Sequence, residues 1–578
     1  MMFNIKELTL VTVLLFTQLF SFAGKIDTTI FALPLEEPVD LSANFGELRA
    51  NHFHGGLDFR TGGVEGKQVF SIADGYVSMI RIDSKGYGQQ LFITHPNGYM
   101  SSYAHLLRFN DKITKYIQEY QISHEQNMLF IKIPPGALPV KRCEMIGLSG
   151  NTGSSRGPHV HFEITELSTG KIVNPLQFFP HIKDFRKPII NNIGVYPMDE
   201  NSTVNGSDKE VIYVASRKSA NQDYGILQPL TVSGNIGFSI QATDYMNNFS
   251  HVFGIYNVQL YKDSVLVYEH KMDKIEPWEQ RCINSFIDYP YYLKTKNFLQ
   301  KTFVEPNNKL GFYAKINENK GVIPFVEEGV HRMIFVVTDY HGNSTRMKFT
   351  VNVRRPAQMP HHESVGIFLP CNKENVYKIP GFKVVFARGA VFKDLYFTYS
   401  VDSVTKLTRG CSPIYKIMDG NTPIRDSVQI SIKVRKKIPE KYLKKLTIAQ
   451  YIGPNATSPV GGRYDTGYVT APVRYFAKYV VIIDTAPPVV QPLKVYDRAN
   501  LSAIAGIFFR IGDNLSGVRN FNLWIDGKWS IMYNDSKKST IEHWFDPSRM
   551  EYGKWHTAKL VVTDNRDNAK TYNFTFYK

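Results

Sequence analysis

Along most of this chain apolar and polar residues alternate, the period of a strand with one buried face. Phe238-Ser-Ile-Gln-Ala-Thr-Asp244 and Phe509-Arg-Ile-Gly-Asp513 follow it and end on an aspartate, as do Phe335-Val-Val-Thr-Asp339 and Leu560-Val-Val-Thr-Asp564. An aspartate at that place opens a polar turn, because its carboxylate bonds nearby backbone N–H groups. The elements also recur in order. Asp244, the run Asn257–Asp263 and Asp339 with Asn343 are matched by Asp513, the run Asn522–Gly527 and Asp564 with Asn568. Helical periods are few, so the pattern predicts a mainly β chain.

Proline-marked segments divide it: Arg186-Lys187-Pro188, Arg354-Arg355-Pro356 and Asp484-Thr485-Ala486-Pro487-Pro488. The recurring strand order resembles bacterial immunoglobulin-like or fibronectin-type modules. It predicts β-sandwiches over 185–355, 356–485 and 486–578, after a first domain at 24–184. A length of 578 residues suits such a division, being too great for one hydrophobic core. At the start, Lys6 precedes the apolar run Leu8–Phe20 and the small residues of Ser21-Phe22-Ala23-Gly24. That predicts a secretory signal over 1–23, with an uncleaved anchor as the rival reading. No later stretch is long and apolar enough to span a bilayer.

Charge separates the parts further. The first domain carries 15 basic and 16 acidic residues, whereas 185–578 carries 52 and 35, so the excess of +17 lies entirely in the tail. A basic surface suits nucleic acid or another polyanion. Export makes nucleic acid the wrong partner and favours an anionic envelope polymer. The Lys433–Lys445 cluster reads the same way, or as a solvated surface. Four cysteines without CxxC spacing exclude a zinc ribbon; Cys371 and Cys411 are the one pair placed for a disulfide within a domain.

The chemistry concentrates in the first domain. His54-Gly-Gly-Leu-Asp58 sets an imidazole and a carboxylate four apart, with two glycines that favour a loop over a helix. In Gly157-Pro-His-Val-His-Phe-Glu163 the alternation reads as a strand, which puts His159, His161 and Glu163 on one face. Two imidazoles and a carboxylate give three ligands for a zinc with an open fourth position. Ferrous iron is the runner-up. The glycines of 147–157 match neither a nucleophile elbow nor a phosphate loop.

Residues 42–180 resemble the lysostaphin/LytM-type zinc metallopeptidases, bacterial cell-wall endopeptidases. The matching stretches run in the family's order. They are Asn44–Arg49, His54–Asp58, Val69–Val77, Gly86-Tyr-Gly88, Ile93–Gly98, Ser102-Tyr-Ala-His-Leu106, Ile146–Gly153 and Gly157–Glu163. The resemblance implies a small antiparallel β domain with one zinc per chain on His54, Asp58 and His161. It implies His105 and His159 as catalytic histidines; Glu163, on the face of His161 by the two-residue period, reads as a residue that orients a ligand or as a plain salt bridge. The same register passes over His52; His95 reads as structural and His124 as surface. Extra residues at about 108–140 predict a lid or helical insertion. The implied function is an exported endopeptidase of the periplasm or cell envelope, or a released one, acting on peptidoglycan cross-bridges or stem peptides. The rivals are a non-catalytic activator of other wall hydrolases and a peptidase of exported proteins.

Overall fold

The computed structural model describes residues 28–578 other than 218, 220, 221, 248–250, 356–364, 403–406 and 408. The predicted signal lies outside the described residues. In the first domain the strands that position the site are β1 (Leu41–Ala43), β2 (Leu57–Arg60), β3 (Gly75–Ile82), β4 (Gln89–Thr94) and β5 (Tyr99–Leu106). After a helix, α1 (Asp111–His124), come β6 (Leu129–Lys132), β7 (His159–Glu166) and β8 (Lys171–Val173). They form an antiparallel sheet in the order β1-β2-β7-β5-β4-β3-β6, with β8 added beside β7. Val77, Ile80, Leu91, Ile93, Tyr103 and Phe162 are wholly buried, so the alternation read from sequence is the core face of this sheet.

The expected insertion is helical. Asn110 caps α1 by accepting from Ile113 N at 2.9 Å, and Ile113 and Ile117 pack one turn apart into the domain core. The segment after α1 seats the last module. Asn127 donates to Phe521 O at 2.7 Å and accepts from Met532 N at 2.7 Å, while Gln118 reaches the Tyr533 hydroxyl at 3.5 Å.

The three following regions are strand-rich, and their repeated Asp-ended runs are strands. A mixed assembly of strands encloses the core around Phe238, Phe335 and Phe349. Two five-stranded sheets enclose the next core, around Phe382, Ile430 and Val481. The last module pairs a four-stranded with a five-stranded sheet around Phe509, Leu560 and Phe576. Cys371 and Cys411 are separate buried thiols, so the one disulfide the sequence allowed is not made.

The peptidase-like region is not a freestanding bead. Strand Lys274–Ile275 pairs with β8 and so continues the first domain's sheet with residues of the second. Beneath that junction Phe45, Phe53 and Ile172 share one apolar core with Met272, Ile283, Phe286 and Phe312. Phe53 sits 5.8 Å from Phe286 and 5.6 Å from Phe312, ring centre to ring centre. The alternation that marks strands says nothing of such a shared core. The helices Ile283–Phe286 and Tyr289–Thr295 that help to build it are too short to show a helical period.

This shared core makes a prediction. Phe312→Ala should destabilise the full chain by about 3–5 kcal/mol, the usual result of truncating a buried aromatic. Denaturant unfolding followed by tryptophan fluorescence measures it. A loss below about 1 kcal/mol would show that the two domains do not depend on this contact.

Candidate metal centre

The site begins with a loop that only glycine can make. After Phe53 the chain turns through Gly55 and Gly56 into β2, and a Cβ on Gly56 would lie 2.0 Å from Phe162 O on β7. The close approach brings β2 into register with β7, pairing Asp58 with His161 across the sheet. His161 is paired on its other side with Ala104, next to His105. One strand register therefore gathers residues spread over more than a hundred positions.

His54 Nε2, Asp58 Oδ1 and His161 Nδ1 form a closed triangle with sides of 2.9, 2.8 and 2.8 Å. All three side chains are buried. The outer nitrogen of each ring is already engaged. His54 Nδ1 donates to Asn44 O at 2.7 Å, and His161 Nε2 donates to Glu163 Oε1 at 2.8 Å. In the neutral rings these bonds fix the tautomers, so the triangle consists of three lone pairs aimed at one another. Three acceptors packed together need a cation between them or a proton on one of them.

Without a metal the proton goes to His161. Burial opposes its charge, but hydrogen bonds to Asp58 and Glu163 override this and raise its pKa to about 9. Burial also works against ionised Asp58, yet the electrostatic pull of the neighbouring His54 and hydrogen bonds from the imidazoles hold its pKa well below the ordinary value. Glu163, buried as well, is lowered by its bond to His161. Around this centre Tyr87 donates to Glu163 Oε1 at 2.9 Å, and Arg49 donates to Asp58 Oδ2 at 3.2 Å.

Two more imidazoles face the triangle. His159 Nε2 stands 3.5 Å from Asp58 Oδ1, while its Nδ1 donates to Gly157 O at 2.9 Å. His105 donates from Nδ1 to Thr152 O at 2.8 Å, and its ring centre is 4.8 Å from that of His159. It is held with φ at +60°, a left-handed conformation that a non-glycine residue adopts only under constraint. Burial, followed by the charges of His161 and His159, pushes the His105 pKa down to about 3. The loop that holds it is braced from the far end of the chain, where Lys537 donates to Asn151 Oδ1 at 2.5 Å.

The remaining histidines lie elsewhere. His52 is exposed and bonds Ala50 O; His124 is exposed and stacks on Tyr120. His95 is buried between Asp74 O and the Ser101 hydroxyl. Sequence reasoning gave no role to Asn44, Arg49, Tyr87 or Thr152, although all four fall within the stretches that carried the family resemblance.

The first domain has likenesses among known proteins. Residues 52–123 match the profile of peptidase family M23. The first domain is thus similar to the M23 peptidases. Residues 367–484 match the profile of a Zu5-like domain. An uncharacterized metalloprotease of Haemophilus influenzae is 29% identical over 149 residues, covering 25% of this chain and 26% of that protein. Peptidoglycan DD-endopeptidase ShyA of Vibrio cholerae is 30% identical over 150 residues, 25% of this chain and 28% of its own length. The match thus spans about a quarter of these curated relatives. Among solved structures, the catalytic domain of lysostaphin from Staphylococcus simulans aligns at 22% identity with a TM-score of 0.19. It covers 25% of this chain and 92% of that one.

The donor set fits a metal ion: two imidazole nitrogens and a carboxylate oxygen, each oriented from behind. Two outcomes follow for the first domain. Metal must displace the proton from His161, so the affinity of chelator-treated protein should rise about tenfold per pH unit up to about pH 9. A titration flat between pH 6 and pH 8 would contradict the assignment of that proton. Glu163→Gln leaves His161 less firmly oriented and should weaken metal binding by about 10–100-fold. Competition against a chromogenic chelator reads both.

Proposed function

We propose that this protein is an exported zinc endopeptidase that hydrolyses peptide bonds in peptidoglycan cross-bridges or stem peptides. The triangle of His54, Asp58 and His161 carries the proposal. Those three residues would hold one zinc ion, which when bound supplies a Lewis acid and an acidified water. Export rests on the N-terminal pattern. The substrate rests on the relatives named as peptidoglycan endopeptidases.

The chain's own residues divide the remaining work. Arg49 and Glu163 fix Asp58 and His161 in place. His159 takes the proton from water in this reading, because its Nδ1 donates to Gly157 O and leaves the Nε2 lone pair facing the triangle, 3.5 Å from Asp58 Oδ1. Nδ1 stays bonded to Gly157 O throughout, so the ring need not turn to pass the proton to the leaving amine. His105 resists protonation, and it serves as a neutral acceptor that orients the attacking water from the second side.

The excess charge of the tail suggests a second contact with the envelope. Its +17 would draw the chain to an anionic polymer of the wall, while the peptidase domain, near neutral, would not. Binding of the full chain to purified sacculi should therefore fall as salt is raised, since screening shortens to about 3 Å at 1 M. Salt-independent pelleting would remove the electrostatic contact.

The reaction is tested by mass spectrometry of purified peptidoglycan after digestion with zinc-loaded protein. New peptide termini should appear with the wild type and fall by about 10²–10⁴-fold in His159→Ala and His105→Ala, with zinc retained in both. An unchanged muropeptide profile with the wild type would overturn the proposed substrate.

A further inference from the structure

Beyond the peptidase domain, the most heavily buried charges lie at two joints between modules. Asp184 ends the first domain and Asp484 ends the third. Asp184, Asp244 and Asp339 are only 3%, 4% and 2% exposed, and Asp484 and Asp564 are fully buried. Ligand atoms of Asp184, Asp339 and His341 lie within 4.8 Å of one another, as do those of Asp484, Asp513 and Asp564.

The two joints are built alike. Asn343 donates to Asp184 O at 3.1 Å and to Asp339 Oδ2 at 2.6 Å; Asn568 donates to Asp484 O at 3.1 Å and to Asp564 Oδ2 at 2.7 Å. The amides of Asn343 and Asn568 each bond the Oδ1 of the aspartate four residues back at 2.8 Å. Three residues after Asp244, Asn247 N bonds the Asp184 carboxylate at 3.1 Å. Three after Asp513, Ser516 N bonds that of Asp484 at 3.1 Å. Strands that open a polar turn would not need this much repetition merely to turn.

These contacts leave oxygens over. Asp184 Oδ2 and Asp244 Oδ1 are buried with no hydrogen-bond partner, and at the other joint so are Asp513 Oδ1 and Ser516 Oγ. The neighbouring arginines offset part of this charge, Arg186 that of Asp244 and Arg566 that of Asp484 and Asp564. Arg186 lies over the Tyr245 ring and donates to Met246 O, and Arg566 donates to Leu446 O and Gly462 O. His341, whose ring also borders Asp184 and Asp339, donates from Nε2 to Ile182 O at 2.9 Å. Burial and the charge of Asp339 raise the Asp244 pKa to about 8. Like charges gathered out of water with unpartnered oxygens are stable only with protons or a cation among them.

We propose that the two joints are equivalent sites for a hard divalent cation of the calcium type, one at Asp184, Asp244 and Asp339 and one at Asp484, Asp513 and Asp564. Carboxylates at several chain positions, with spare oxygens, are the donor set such an ion takes. Each site ties a linker residue to two strand ends of the module that follows. Binding therefore stiffens the joint and, at the first, fixes the module that shares a core with the peptidase domain.

The test is calorimetric titration of calcium chloride into the full chain, with the peptidase domain already loaded with zinc. Wild type should bind two ions, Asp244→Asn one, and Asp244→Asn with Asp513→Asn none. Thermal unfolding guards against misfolded variants. At about 10 mM calcium the wild-type midpoint should rise by about 5–10 °C over its value in chelator. Asp244→Asn without calcium should melt no lower than wild type, because it removes a buried repulsion, yet it should lose that joint's share of the calcium increment. Two results would overturn the proposal: no calcium binding by folded wild type, or full two-ion binding by the double variant. A purely hydrogen-bonding role for Asp244 predicts a lower midpoint in the variant with and without calcium.

Discussion

Three lone pairs held within 3 Å of each other are the constraint on which the first domain depends. Such an arrangement is unfavourable unless something positive joins it, and the surrounding structure works to keep it assembled. Gly56 lets β2 approach β7, the register sets Asp58 opposite His161, and Asn44 and Glu163 hold the outer nitrogens. Remove any of these and the acceptors can relax apart. The domain is stable enough to enforce the geometry because the sheet behind it is packed with wholly buried apolar side chains.

That support reaches beyond the first domain. Phe53 immediately precedes His54, and its ring is packed between residues of the following module. Movement of that module would be felt one residue from the centre. At the opposite side, Lys537 from the last module grips Asn151, beside the carbonyl that orients His105. The first and last modules thus touch, and the modules act as parts of the site's frame as well as a tail.

His54, Asp58, His159 and His161 stood out in sequence through local signals, whereas His105 was picked out only by the family resemblance. Two-residue periodicity placed His159 and His161 on one strand face, and paired glycines marked the loop after His54. The β class was legible for the same reason, since alternation is a property of each strand alone. What escaped notice was non-local. Tyr87 acts through a contact with Glu163, 76 positions away, and the shared core at Phe53 joins residues more than two hundred positions apart. The repeated aspartates were visible as turn residues. Their convergence at two joints with Asp184 and Asp484 needed the fold.

The central claim is that His54, Asp58 and His161, and not His159, hold a zinc ion. X-ray absorption at the zinc edge of the purified full chain tests it most directly. The account predicts a protein-derived shell of two imidazoles and one carboxylate oxygen, unchanged in His159→Ala. A shell of three imidazoles, or loss of zinc in His159→Ala, would contradict it.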